Sequence, residues 1–222
     1  MSGEILVINT DDNFKSHIEN ETFSVCFQDL FVVEIMNQIQ EGFFVDIGSA
    51  HCFDNNNSFL LEKKYNWKGL CVEYEPKYND SYSIRNCKYI NDDALKLNYE
   101  QIYKENQFPN AIDYLSLDID DLTTSLLSII PFDSYEYKII MIEHDFYLNG
   151  NKYLEQQRDF LTKKGYHLLF GDIFVELHNF EKEKSFEDWW INPKFFDSEL
   201  IKKLTRKSIY PSEALKLVRK YK

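Results

Sequence analysis

The sequence predicts an α/β fold: a mostly parallel sheet covered by helices on both faces and closed by an antiparallel hairpin. Two observations carry this. From Gly42 onward, short continuous apolar runs alternate with helical text, which is how strands buried on both faces read. Near residue 170 two further apolar runs are separated only by Gly171-Asp172. That connection is too short for a parallel crossover, which needs about a dozen residues or more.

The elements follow in order. Residues 1–23 are polar and without period. Phe27, Phe31, Ile35 and Ile39 then recur at i+4, one apolar stripe along a helix ending at Gly42. Phe43–Ile47 is the first strand, residues 57–64 a helix, Gly69–Glu73 the second strand and Lys88–Ile90 a short third. Ile112–Leu117 and Lys138–Ile142 are the fourth and fifth, with helical text near 97–104, 121–130 and 151–164. Tyr166–Phe170 and Ile173–Leu177 form the hairpin, which brings the expected sheet to seven strands. One domain is expected: an N-terminal extension and helix over 1–41, a core over 42–180, and a lid-like helical tail over 181–222.

Composition narrows the function. Of 222 residues, 44% are hydrophobic and 28% charged, enough apolar text for a core. The net charge is −12, which repels phosphate backbones and argues against nucleic acid and anionic membranes as partners. A small-molecule or glycan acceptor suits such a surface better. No run approaches the roughly 20 apolar residues of a membrane span, and the first residues lack the marks of a secretory signal. Cys26, Cys52, Cys71 and Cys87 form no CxxC pair, so reduced structural thiols and a cytoplasmic location (the host's, for a viral chain) are expected.

In an open α/β sheet, ligands bind beyond the carboxyl ends of the strands. The first strand is followed by Asp46-Ile47-Gly48-Ser49-Ala50-His51, where Gly48 allows a tight turn and close approach. Glu73 closes the second strand and can accept both hydroxyls of a ribose, with Glu75 as a competitor. After the third, Asp92-Asp93-Ala94 offers an acceptor for an adenine amino group or a solvated turn. The fourth and fifth strands end in Asp118-Ile119-Asp120-Asp121 and Glu143-His144-Asp145, five carboxylates and an imidazole at one sheet end. Such crowding calls for a proton, a cation or a cationic substrate. His144 alone among them has a reference pKa near neutrality, so it is the candidate base; Asp120 and Asp121 also suit a helix N-cap. Trp189-Trp190 either anchors the tail or offers one ring to a ligand.

With these residues assembled, the sequence resembles the FkbM-type S-adenosylmethionine-dependent methyltransferases from about Gly42 to Leu177. Phe44-Val45-Asp46-Ile47-Gly48-Ser49-Ala50-His51 with Asn57-Ser58-Phe59-Leu60-Leu61-Glu62 is similar to the family's first motif and following helix. Trp67-Lys68-Gly69-Leu70-Cys71-Val72-Glu73 resembles its second strand, Asp113–Asp120 its fourth, and Ile142-Glu143-His144 its "IEH"; Gly165-Tyr166 also fits. Cys52, Asn56-Asn57-Ser58 and Asp120-Asp121 depart from the common pattern.

The resemblance implies a Rossmann-like class I methyltransferase fold, S-adenosyl-L-methionine as cofactor, and O-methylation, often of a sugar hydroxyl. It implies Gly48 and Ser49 at the methionine end, Asp46 on the methionine amine or holding the loop, Glu73 at the ribose, Asp93 and Ala94 at the adenine, and Ala50, Asn57, Ser58 and Asp118 as further cofactor-binding residues. His144 would be the base, with Asp118 or Glu143 orienting it. A divalent cation, Mg²⁺ or Mn²⁺, would find Asp118, Asp120 and Glu143. Two rival readings are a non-catalytic binding subunit of the same fold and a nicotinamide-dependent oxidoreductase. The latter wants G-x-G-x-x-G, and residues 46–53 hold one glycine.

Overall fold

The computed structural model describes residues 22–175 and 184–222. Within them, β1 (Phe43–Ile47), β2 (Lys68–Glu73), β3 (Lys88–Asn91), β4 (Ala111–Leu117), β5 (Glu136–Glu143), β6 (His167–Val175), β7 (Lys184–Ile191) and β8 (Arg206–Ile209) form one sheet. The strand order is 3-2-1-4-5-7-6-8. Every pairing is parallel except those of β7, which runs antiparallel between β5 and β6. This is the Rossmann-like class I methyltransferase fold with one strand added at its edge.

Eight helices complete the description: α1 (Gln28–Ile35), α2 (Phe59–Tyr65), α3 (Tyr99–Glu105), α4 (Thr123–Leu126), α5 (Phe146–Asn149), α6 (Asn151–Lys163), α7 (Ser198–Leu204) and α8 (Pro211–Tyr221). Successive strand residues point to opposite faces. Phe44, Tyr114, Met141 and Trp189 therefore enter one core with α1, α2, α7 and α8. Val45, Leu115, Ile140 and Trp190 enter the other with α3, α4 and α6. Both tryptophans are fully buried, one in each core, so neither ring is offered to a ligand.

The five parallel strands lie where the sequence places them, within a residue or two. The closing hairpin does not. Gly171-Asp172 is an irregularity inside β6, where the register against β7 shifts and Asp172 takes φ 55°. The antiparallel partner is β7, within the segment expected to be a lid, and the sheet continues past residue 180 into both β7 and β8. The two expected hairpin strands are thus the single β6, and β7 and β8 are both additional, so seven expected strands become eight; β8 escaped notice because Arg206-Lys207-Ser208 is exposed and carries no apolar signal. The first helix stops at Ile35 instead of reaching Gly42, because Asn37 and Gln38 take φ of 56° and 55°. Glu176 and Leu177, the expected end of the hairpin, lie outside the described residues. The four cysteines are free. Among the described residues, no helix is long and apolar enough to cross a membrane.

Candidate functional site

Strands β1 and β4 leave the sheet side by side, and Gly48 makes that possible. It holds φ +83°, and a Cβ there would fall 1.5 Å from the carbonyl oxygen of Asp118. The Gly48 and Ser49 amides both donate to the Val72 carbonyl, at 2.9 and 3.1 Å, tying the loop to the end of β2. Glu73 then accepts from the Ala50 amide at 2.8 Å and from the Glu75 amide at 2.7 Å. Both carboxylate oxygens are fixed, and each keeps a lone pair for a further donor. Asp93 caps the turn 94–96 by accepting from the Leu95 amide at 3.0 Å, and Lys96 pairs with it at 3.1 Å; the Leu95 bond and Lys96 hold its carboxyl below the usual range.

These ends enclose a cavity of about 630 Å³, within the range of small-molecule sites. Gly48, Ala50, Glu73, Glu75, Asp93, Ala94, Asp118 and Asp120 line it, together with Lys77 and, as its apolar walls, Tyr74, Tyr78, Ile119 and Leu122. Eight sequence-named residues thus converge. Four others stand behind the loop. Asp46 is buried and accepts from the Ser58 hydroxyl at 2.7 Å; burial pushes its carboxyl up to about 6, against the Ser58 bond and the Arg85 charge. The Ser49 hydroxyl meets Tyr82 Oη at 2.6 Å, and Asn57 donates to the Ser116 hydroxyl at 3.0 Å.

Arg85 holds this layer together, and no motif in the sequence named it. Its side chain is fully buried; it donates to Glu62 at 2.8 Å, the Cys52 carbonyl at 2.7 Å, Asn56 at 3.1 Å and the Ser58 hydroxyl at 3.1 Å. One signal pointed to it. The chain has four arginines, Arg85, Arg158, Arg206 and Arg219, among its 25 basic residues, and Arg is the cation that suits buried, forked pairing.

The ends of β4, β5 and β7 divide the remaining acids between the two faces. On the α1 face lie Asp118, Glu143 and Glu187. Burial, then the bond to Asp118 and the charges of Asp118 and Asp145, hold the Glu143 carboxyl far above the usual range. Burial also raises Asp118, with the charges of Asp120 and Asp145 adding to it against the Glu143 bond. The bond between them raises Glu143 and lowers Asp118, so of the two it is Glu143 that keeps the proton. Glu187 accepts from Trp189 Nε1 at 2.8 Å, and burial pushes it up to about 8. Cys26 closes over this group, its thiol driven up by burial and then by Glu187, Glu143 and Asp118. Among the described residues, no Lys or Arg pairs with Asp118, Glu143 or Glu187.

His144 and Asp188, the next residues along, face the other way. His144 is only 2% exposed. Its Nδ1 accepts from the Phe146 amide at 3.2 Å and its Nε2 lies 3.6 Å from Asp188. Arg158 grips both oxygens of Asp188 at 2.7 Å and Asp172 at 2.8 Å. Burial works to raise Asp188; the bonds from Arg158, with His144 close by, outweigh it and hold the carboxyl below its usual range. The structure thus places His144 away from the cavity, with both ring nitrogens turned inward.

The metal candidates fare similarly. Among the described residues, the single group of three whose ligand atoms lie within 4.8 Å of one another is His144, Asp172 and Asp188, where Arg158 already supplies the positive charge. Asp118, Asp120 and Glu143 do not converge in this way, and Asp120 is exposed. The residues present do not fit a divalent cation.

Solved structures align with this chain, and one reaches the level of a shared architecture. A candidate O-methyltransferase from Klebsiella pneumoniae aligns with a TM-score of 0.52 and 11% identity, over 84% of this chain and 92% of that one. TYW2 of M. jannaschii in complex with AdoMet aligns at 0.47 and 12%, over 80% of each chain. Aeropyrum pernix fibrillarin, with natively bound S-adenosyl-L-methionine, aligns at 0.45 and 12%, over 74% and 76%. At such identities the likeness is one of fold. No family model and no curated protein matches the chain.

Proposed function

We propose that this chain is an S-adenosylmethionine-dependent O-methyltransferase of the FkbM type, acting on a sugar hydroxyl of a glycan or glycoconjugate. One observation supports the reading above the others: Gly48, Ala50, Glu73, Asp93, Ala94 and Asp118, drawn from four strand ends, line one cavity of about 630 Å³. These residues fit the cofactor. Glu73 is held so that its free lone pairs can accept ribose hydroxyls, and the Asp93-Ala94 turn suits an adenine edge. Asp118, Glu143 and Glu187, which pair with no Lys or Arg among the described residues, suit a sulfonium and an ammonium.

The cofactor supplies an electrophilic methyl group when bound. The chain's task is to align an acceptor oxygen and remove its proton. Asp118 lines the cavity while its partner Glu143 keeps the proton, so Asp118 is the base of that pair. His144 is a positioning residue: it bonds the first amide of α5, donates its own amide to the Phe186 carbonyl at 3.0 Å, and faces Asp188.

Thermal unfolding with S-adenosylhomocysteine beside NAD⁺, each with and without Mg²⁺, tests the reading. The homocysteine nucleoside at 100 times its Kd should add about 2.7 kcal/mol of stability, with no Mg²⁺ requirement. Stabilisation by NAD⁺ alone, or by neither, contradicts it. Methyl transfer to rhamnosides and fucosides then tests the acceptor.

A further inference from the structure

The far edge of the sheet carries a feature that the methyl-transfer site does not use. Residues 194–222 hold nine Lys and Arg against three Asp and Glu, in a chain of net charge −12. The positive charge is gathered in one place. β8 and α8 form a groove of about 470 Å³ lined by Arg206, Lys207, Lys216 and Lys220, with Ile209 and Leu217 between them. All four cations are exposed, and none is ion-paired among the described residues. The other basic residues nearby are engaged: Arg219 with Glu34 at 2.9 Å and Lys202 with Glu199 at 2.7 Å. The groove's one acid, Glu213, is turned to the Tyr210 amide at the start of α8.

We propose that this groove docks an acidic peptide segment of a partner protein, one in which carboxylates alternate with apolar side chains. Charge complementarity carries the assignment. Four exposed cations free of ion pairs among the described residues, with the half-buried Leu217 beside them, match such a segment in both respects. Nucleic acid fits less well: no aromatic ring lines the groove for a base to stack on, and the rest of the surface repels phosphate. β8 pairs with β6 alone and is the last strand in the sheet order, so its outer side meets no strand among the described residues. Ser208, at φ 55°, breaks the regularity of that edge, so side chains rather than an added strand carry recognition.

Fluorescence anisotropy of a labelled peptide alternating Glu with Val, against labelled oligouridylate of equal charge, tests the proposal. The peptide should bind saturably to the full chain and more tightly than the oligonucleotide. Raising salt from about 0.05 to 0.3 M should weaken it severalfold. The double variant Lys207→Glu and Lys216→Glu should weaken it about tenfold, with the unfolding midpoint confirming that these exposed positions leave the fold intact. Absent binding, binding indifferent to the variant, or tighter binding of oligouridylate overturns the proposal. Absent binding would leave the edge lysines as a guard against strand-to-strand aggregation.

Discussion

The ends of β5 and β7 present two faces made from adjacent residues and opposite electrostatic solutions. On one face Glu143 and Glu187 are buried without a cation, and protons neutralise them: both carboxyls sit above their usual range. On the other, one residue along each strand, Asp188 is as deeply buried but ionised, because Arg158 grips both of its oxygens at 2.7 Å. The first face is incomplete in charge and opens, through Asp118, onto the cavity. The second is complete and faces helix α6. Burial of acid alone does not mark a site: Asp29 is as deeply buried without a cation, yet bonds from Thr22, Phe23, Ser24 and Leu30 satisfy it within its own turn.

Removing the Arg158 cation should have the largest effect. Arg158→Met leaves Asp188 buried and unpaired and should cost about 3–5 kcal/mol in urea unfolding at neutral pH. A loss under about 1 kcal/mol would mean that Asp188 is neutralised by a proton, and the two faces would not differ. Glu143→Gln is the converse test. The carboxyl is already protonated, so stability should change by less than about 1 kcal/mol, while turnover should fall about a hundredfold through loss of the proton-accepting pair. Unaltered turnover would remove Glu143 from the chemistry.

The pH dependence sharpens the same contrast. Glu187 titrates near 8 in the folded chain and near 4.5 unfolded. Its contribution is therefore fully present below pH 4.5 and is lost as pH rises towards 8, at up to about 1.4 kcal/mol per pH unit. Glu187→Gln should flatten that part of the stability curve; an unchanged slope contradicts the shift. The smallest effect is expected at His144. His144→Gln should lower turnover by less than about tenfold and leave the acid limb of the pH–rate profile in place. Loss of that limb would restore the imidazole as base.

Much of this was legible beforehand. The apolar runs from Phe43 to Ile142 mark five strands because a parallel sheet is buried on both faces, and the polar residues just beyond them supply the cavity. Two things were hidden. β7 reads as a polar tail because Glu187 and Asp188 interrupt its apolar text; both are buried, one bonded to Trp189 and one to Arg158. The second is facing. Glu143 and His144 are neighbours in sequence, and the pleat sends them to opposite sides, a consequence of period two that puts the carboxylate on the face of Asp118 and the imidazole on the other. Arg85 and Arg158 reach partners far along the chain, and only the scarcity of arginine hinted at them.

The central claim is that the carboxylates of Asp118 and Glu143 seat a cationic nucleoside. It is tested most directly by a crystal structure grown with an S-adenosyl analogue that carries an amine in place of the methylated sulfur. The account predicts ribose hydroxyls on Glu73, the base beside Asp93 and Ala94, and the amine turned towards Asp118 and Glu143. Finding the analogue elsewhere, or its amine directed away from those two carboxylates, would contradict it.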